Sequence, residues 1–291
     1  MKDAARLLAY LLATILIGAL VAPPLYWGSQ WLAAHGVFPF LSRIDFESFF
    51  HRALVLGAIV LAWPFLRAIR VGRLTDLGLA PNSHRRQHCV AGFLLAITPL
   101  LCCGAVLVAA HIYSLRAQVA WSIFGKIIAA TLFVPLVEEA FFRGLILGIL
   151  LRSGRVYLAM FITSALYSIV HFLKAPEGTS TVVTWMSGFK SIGHSFGQFA
   201  EPVLLAAAFS TLFLIGWILA DARLQTRSLW LPIGLHAGWI FANGMFNRIA
   251  RRDILLLPWL GRNLLVGIVP LAICLLTWLL VRVWLRYYGR R

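Results

Sequence analysis

Two adjacent carboxylates, Glu138 and Glu139, stand inside a long apolar stretch of this chain, and Arg143 follows four residues after the second. The other acidic residues, Asp3, Asp45, Glu47, Asp76, Glu177, Glu201, Asp221 and Asp253, fall in connecting segments or at the ends of apolar runs. A single ionised side chain at mid-membrane costs about 2.5–3.5 kcal/mol on insertion scales. Two neighbouring carboxylates cost more through repulsion unless one is protonated or paired. On a helix, residues four apart are neighbours, so Arg143 is expected to pair with Glu139. Glu138 sits about 140° around the helix from Arg143, which leaves it for proton transfer. An ion pair serving only helix packing would use Arg143 and one glutamate and leave the second unexplained.

Two histidines and an amide join this pair. His171 closes the run Tyr167-Ser168-Ile169-Val170-His171, and Ser164, Tyr167, Ser168 and His171 form a polar stripe on one helical arc. His236 lies in Pro232-Ile233-Gly234-Leu235-His236-Ala237-Gly238-Trp239, and Asn243, seven residues on, shares its face. Alone, either histidine reads as a satisfied core group; with the glutamates they read as a site. Glu138, assisted by His171, can take a proton from water. His236, with an amide such as Asn243, can donate hydrogen bonds to a tetrahedral oxyanion. That is peptide-bond hydrolysis without a covalent intermediate. Two imidazoles and a carboxylate also make a recognised zinc set, so Glu138, His171 and His236 are candidate metal ligands beside the metal-free reading. Neither an HExxH helix nor a GxSxG elbow occurs.

Such side chains need membrane helices to hold them, and the composition supplies these. The chain has 291 residues, 61% hydrophobic and 12% charged, too few charges to cover a soluble globule of this size. Eight apolar spans are expected: Leu7–Ala22, Ala53–Leu66, Val90–Ala110, Trp121–Leu151, Val156–Leu173, Pro202–Ala220, Leu229–Phe246 and Leu264–Leu285. The predicted fold is therefore all-α, a polytopic membrane protein with about eight transmembrane helices in a single integral membrane domain over 1–291. No sustained period-2 alternation suggests a β-barrel. The first span follows Lys2 and Arg6 but has a poor cleavage site before Pro23, so it is read as a retained helix. The net charge of +16 reads as loop charge at the bilayer surface rather than as a nucleic-acid footprint. With the N-terminus inside, the inner segments hold the larger share of Lys and Arg, which predicts cytoplasmic termini. Cys89, Cys102, Cys103 and Cys274 show no metal or disulfide spacing. At about 1.5 Å per residue, Glu138, His171 and Asn243 lie about 20–22 Å from the inner ends of their spans, and His236 about 12 Å. Gly144 and Gly148 form a GxxxG step expected to admit a neighbouring helix.

In this order the motifs resemble those of the CPBP family, the CAAX proteases and bacteriocin-processing enzymes also called Abi proteins. Glu138-Glu139-x-x-x-Arg143 is similar to the family's EExxxR motif. Tyr167-x-x-x-His171 is similar to its FxxxH motif, with tyrosine in place of phenylalanine. Leu235-His236-Ala237-Gly238-Trp239 resembles its third, histidine-bearing motif. The resemblance covers roughly 120–246, the expected catalytic core. It implies an intramembrane endopeptidase in which Glu138 activates water beside His171 and His236 binds the oxyanion. Members are described as metalloproteases and, in a competing view, as glutamate-dependent enzymes, so zinc is an open option. Eukaryotic relatives trim prenylated CAAX proteins, and bacterial ones are linked with bacteriocin processing or immunity. The implied partners are a membrane-associated substrate and the lipid bilayer, and the expected location is a bacterial plasma membrane. The family usually has Asn or Asp four residues after the third-motif histidine; here that position is Ile240, and Asn243 is the nearest amide. The competing readings are a proton-coupled transporter, since buried Glu and His also build proton relays, and a catalytically degenerate immunity or scaffold protein. The sequence shows neither the inverted repeats nor the paired broken helices common in transporters.

Overall fold

The computed structural model describes residues 2–71, 74–79, 83–119, 123–172, 182–195, 201–254, 256–261 and 263–288. Trp121, Leu173 and Glu177 lie outside the described residues. Helices form along the apolar runs: α1 (Lys2–Ala34), α2 (Phe46–Ala68), α3 (Arg85–Ala109), α4 (Phe124–Glu139), α5 (Leu147–Leu151), α6 (Val156–Phe172), α7 (Ser187–Ser195), α8 (Pro202–Thr226), α9 (Trp230–Ile249) and α10 (Ile268–Tyr287). Between α4 and α5 the chain stays helical but widens into a π-helical segment, Ala140–Ile146. Two three-residue strands, β1 (Tyr113–Leu115) and β2 (Ala250–Arg252), pair antiparallel, Tyr113 opposite Arg252. They are too short to show an alternating pattern in the sequence.

The chain is an all-α membrane protein. Each expected span coincides with helix, and among the described residues five helices, α1, α2, α3, α8 and α10, are long and apolar enough to cross a membrane by length and composition. The other three expected spans are shorter or less apolar for local reasons. The fourth span is broken by the π-helical segment, leaving α4 with 16 residues. Helix α6 has 17. Helix α9 is diluted by Gly234, His236, Gly238, Asn243, Gly244 and Asn247.

Packing gathers the chain into two compact units, Met1–Gly72 with Ile169–Ala200, and Arg73–Ser168 with Glu201–Arg291. In the first, α1 packs on α2 around Ala19, Ala22, Phe46, Phe50 and Ala53. The Tyr10 hydroxyl donates to the Ala58 carbonyl at 2.9 Å.

The second unit is organised around α3 and α9, which share the most extensive interhelical contact in the fold. Lipid tails are as apolar as leucine, so membrane helices associate through close van der Waals packing, which small residues permit. Here the small residues are glycines. A Cβ on Gly92 would fall 2.6 Å from the Leu231 carbonyl oxygen, and one on Gly238 would fall 2.6 Å from that of Phe93. A Cβ on Gly234 would overlap the Cys89 carbonyl. The GxxxG step expected at Gly144 and Gly148 does not serve this purpose. Gly144 abuts the backbone of Leu77 in a 3-10 turn (Leu74–Leu77), and no atom lies within 4 Å of the Cβ position on Gly148.

Gly234→Val should therefore separate α3 from α9 and cost at least about 2–3 kcal/mol, the range for overpacking a close contact. Thermal unfolding of the purified protein in detergent checks this, with Gly148→Ala expected to match the wild type.

Candidate active site

The site grows from the end of α4. Glu138 and Glu139 are its last two residues, and Arg143 lies in the π-helical segment, where the Leu147 N–H bonds to the Phe142 carbonyl five residues back. Such wide turns inside α-helices occur frequently at functional sites. Pro135, one turn before Glu139, brings no backbone N–H, so the helix is already one bond short as it nears the site.

Glu139 and Arg143 are both buried, with side chains 0% exposed, and Arg143 Nη1 donates to Glu139 Oε1 at 2.9 Å. This is the pairing expected from the four-residue spacing. Nη2 donates to the Gly216 carbonyl on α8 at 3.3 Å. The guanidinium also stacks 4.4 Å from the centre of the Tyr167 ring and 5.7 Å from that of Phe142. Arg143 is thus held by a carboxylate, a carbonyl and two aromatic faces, which together offset removing its charge from water. Helix α6 approaches α8 closely at the same level, since a Cβ on Gly216 would lie 3.0 Å from Ser164 Cα.

Helix α9 brings His236 against both glutamates. Its Nδ1 is 2.8 Å from Glu139 Oε1, and its Nε2 is 3.9 Å from Glu138 Oε2. The Tyr167 hydroxyl is 3.5 Å from the same Nε2. A carboxylate accepts only, so Nδ1 carries a proton and donates to Glu139. Nε2 then faces Glu138 and Tyr167. The two carboxylates differ sharply in access. The Glu139 side chain is 0% exposed, whereas that of Glu138 is 29% exposed. Glu139 is an enclosed anchor for two donors, and Glu138 is the partly exposed carboxylate, with its Oε2 turned inward to His236.

Depth counting set His236 about a turn or two shallower than Glu138, yet the two meet. The count took Leu229 as the membrane edge. Instead Ser228, Leu229 and Leu231 are buried, and the Leu229 N–H donates to the Gly78 carbonyl at 3.1 Å. Helix α9 therefore begins inside the protein. Asn243, whose estimated depth did match, is not brought to the cluster. Seven residues carry it about 10 Å along α9 from His236, and its Oδ1 accepts from Asn247 Nδ2 at 3.2 Å. His171 ends α6 with its side chain exposed and falls in the other compact unit.

Among the described residues, no group of three His, Cys, Asp or Glu side chains could hold one ion. Of the expected set, Glu138 and His236 approach each other in the second unit, His171 belongs to the first, and the neighbouring carboxylate Glu139 is bound to a guanidinium. Tyr167 is the site residue the sequence left out. It was visible as part of a polar stripe and as a tyrosine where phenylalanine is usual, but only packing shows its hydroxyl at His236.

Removing one partner of a buried ion pair leaves an uncompensated charge, at about 3–5 kcal/mol. Arg143→Met should lose that much stability in a detergent unfolding assay. Adding Glu139→Gln to it should recover part of the loss.

Residues 119–242 match the family model of type II CAAX prenyl endopeptidase Rce1-like proteins. The match spans less than half of the chain; it includes Glu138, Glu139, Arg143, Tyr167, His171 and His236 and ends just before Asn243. No curated relative and no solved structure gives a significant match. Three motifs in order, a buried Glu–Arg–His cluster on α4, its π-helical continuation and α9, and the family match over the same residues make this segment similar to the CPBP family of CAAX-type intramembrane proteases.

Proposed function

We propose that the protein is an intramembrane endopeptidase in which Glu138 activates a water molecule for attack on a peptide bond of a membrane-associated substrate, of CAAX or bacteriocin type. The observation that carries this reading is the position of His236, whose imidazole is bonded to an enclosed carboxylate through one nitrogen and turned toward a partly exposed one through the other.

In the proposed reaction a water sits between Glu138 Oε2 and His236 Nε2, a 3.9 Å gap that one oxygen can bridge. Glu138 takes a proton from the water as the oxygen attacks the carbonyl carbon. With His236 protonated, two carboxylates, a guanidinium and an imidazolium sum to zero charge, which suits an apolar setting. The Nε2–H then donates to the developing oxyanion. Glu138 returns the proton to the leaving amine as the C–N bond breaks, so water and a peptide bond give a carboxylic acid and an amine. Glu139 and Arg143 do not touch the reacting atoms; they hold the imidazole in its orientation and tautomer. Tyr167 takes the part of a second oxyanion donor, through a hydroxyl beside Nε2, where Ile240 offers no polar group. His171 enters the proposal as the histidine of the family's second motif, on that resemblance alone. Asn243 has no part in it.

A fluorogenic farnesylated CAAX peptide offered to the protein in proteoliposomes tests the reading. Glu138→Gln and His171→Ala should each abolish cleavage while the unfolding temperature holds, His236→Ala should abolish it with a loss of stability because Glu139 loses a buried donor, and chelator should leave wild-type cleavage intact. Full activity in Glu138→Gln would overturn the proposal. Tyr167→Phe should lower kcat by about 10–100-fold with little change in KM, somewhat below the usual loss for an oxyanion donor.

A further inference from the structure

A cleft of about 500 Å³ opens in the second unit where α6 begins and α8 and α10 end. The proposed reaction uses none of its side chains. Its polar wall is Arg227, Arg282, Gln225 and Asp221; its apolar wall includes Met160 and Leu224, with Trp217 and Trp278 between. A second hollow of about 380 Å³ shares Gln225, Trp278 and Arg282 and adds Arg286 and Leu279. Three guanidinium groups thus face one carboxylate.

That carboxylate is occupied. Asp221 is buried; its Oδ2 accepts from Trp278 Nε1 at 2.8 Å and forms an ion pair with Arg282 Nε at 3.0 Å. The ion pair through Nε fixes Arg282 while its terminal amino groups make no hydrogen bond among the described residues. Arg282 is further steadied by the Trp278 ring at 5.6 Å. Arg227 is held by the backbone, in the left-handed conformation that ends α8. Arg227 and Arg286 make no ion pair among the described residues.

We propose that this cleft binds the phosphate head group of an anionic phospholipid. Three observations favour a lipid over a soluble phosphate. Trp217, Trp278 and Tyr157 line the cleft, and such residues concentrate at the membrane–water interface. The cleft adjoins apolar side chains that face outward along the helices, Leu279 at 59% and Val283 at 50% exposed on α10 and Phe161 at 54% on α6, against which acyl chains can lie. Basic pockets between membrane helices at one bilayer face have the charge and depth that recognise such head groups.

Native mass spectrometry of the full chain in detergent micelles, titrated with phosphatidylglycerol or phosphatidylcholine, tests the proposal. Phosphatidylglycerol should bind saturably and about tenfold or more tighter than phosphatidylcholine. Arg227→Gln with Arg286→Gln should weaken it by about tenfold, and these two exposed residues support no ion pair, so the fold should survive. Millimolar inorganic phosphate should not displace the lipid. Equal affinity for the two lipids, or undiminished phosphatidylglycerol binding in the double variant, would overturn the proposal. Complete displacement by inorganic phosphate would also overturn it and make the cleft a free-anion site.

Discussion

The bond between Arg143 and Glu139 is the interaction on which the second unit depends, because both side chains are withdrawn from water and neither can be left alone there. Each remaining contact of the cluster follows from this pair. The guanidinium needs further acceptors and π-faces, which α8 supplies through the Gly216 carbonyl and α6 through Tyr167. The carboxylate takes a second donor, which α9 supplies through His236. Four helical segments are thereby tied at one point. The same pair sets the division of labour between adjacent glutamates. Glu139 is committed to holding the site together, and Glu138, one residue earlier, carries the partly exposed carboxylate.

Electrostatics fixes what must meet, and backbone geometry decides whether it can. His236 reaches the glutamates because α9 packs on α3 without intervening side chains at Gly92, Gly234 and Gly238. Gly234 and Gly238 flank His236 within the motif itself, so the segment that supplies the histidine also supplies the close contact that seats its helix. The π-helical segment contributes in the complementary way. It widens the helix where Arg143 must turn back to Glu139 while Gly144 lies against the Leu77 backbone.

Inaccurate expectations came from treating each span as an independent rod crossing a slab. Counting residues from span ends set His236 too shallow, because α9 starts beneath the 74–78 turn. It favoured Asn243, which shares a face with His236 but not its neighbours. Counting apolar residues gave eight spans but registered neither the π-helical break nor the dilution of α9 by glycine and polar residues. GxxxG was read as a helix contact, but a glycine pair records only that something can come near.

Much of the chemistry was legible in the chain itself. Only one pair of acids lies inside an apolar run, and the cost of burying charge in hydrocarbon marks such a pair as a candidate site. The four-residue spacing of Glu139 and Arg143 is a local property of a helix, so their pairing could be read directly. The order of the three motifs gave the family resemblance. Which nitrogen of His236 faces which carboxylate, the approach of the Tyr167 hydroxyl, and the different access of Glu138 and Glu139 were decided by tertiary structure alone. Each depends on the relative height and rotation of helices far apart in sequence, and those are set by close backbone contacts whose partners a glycine does not name.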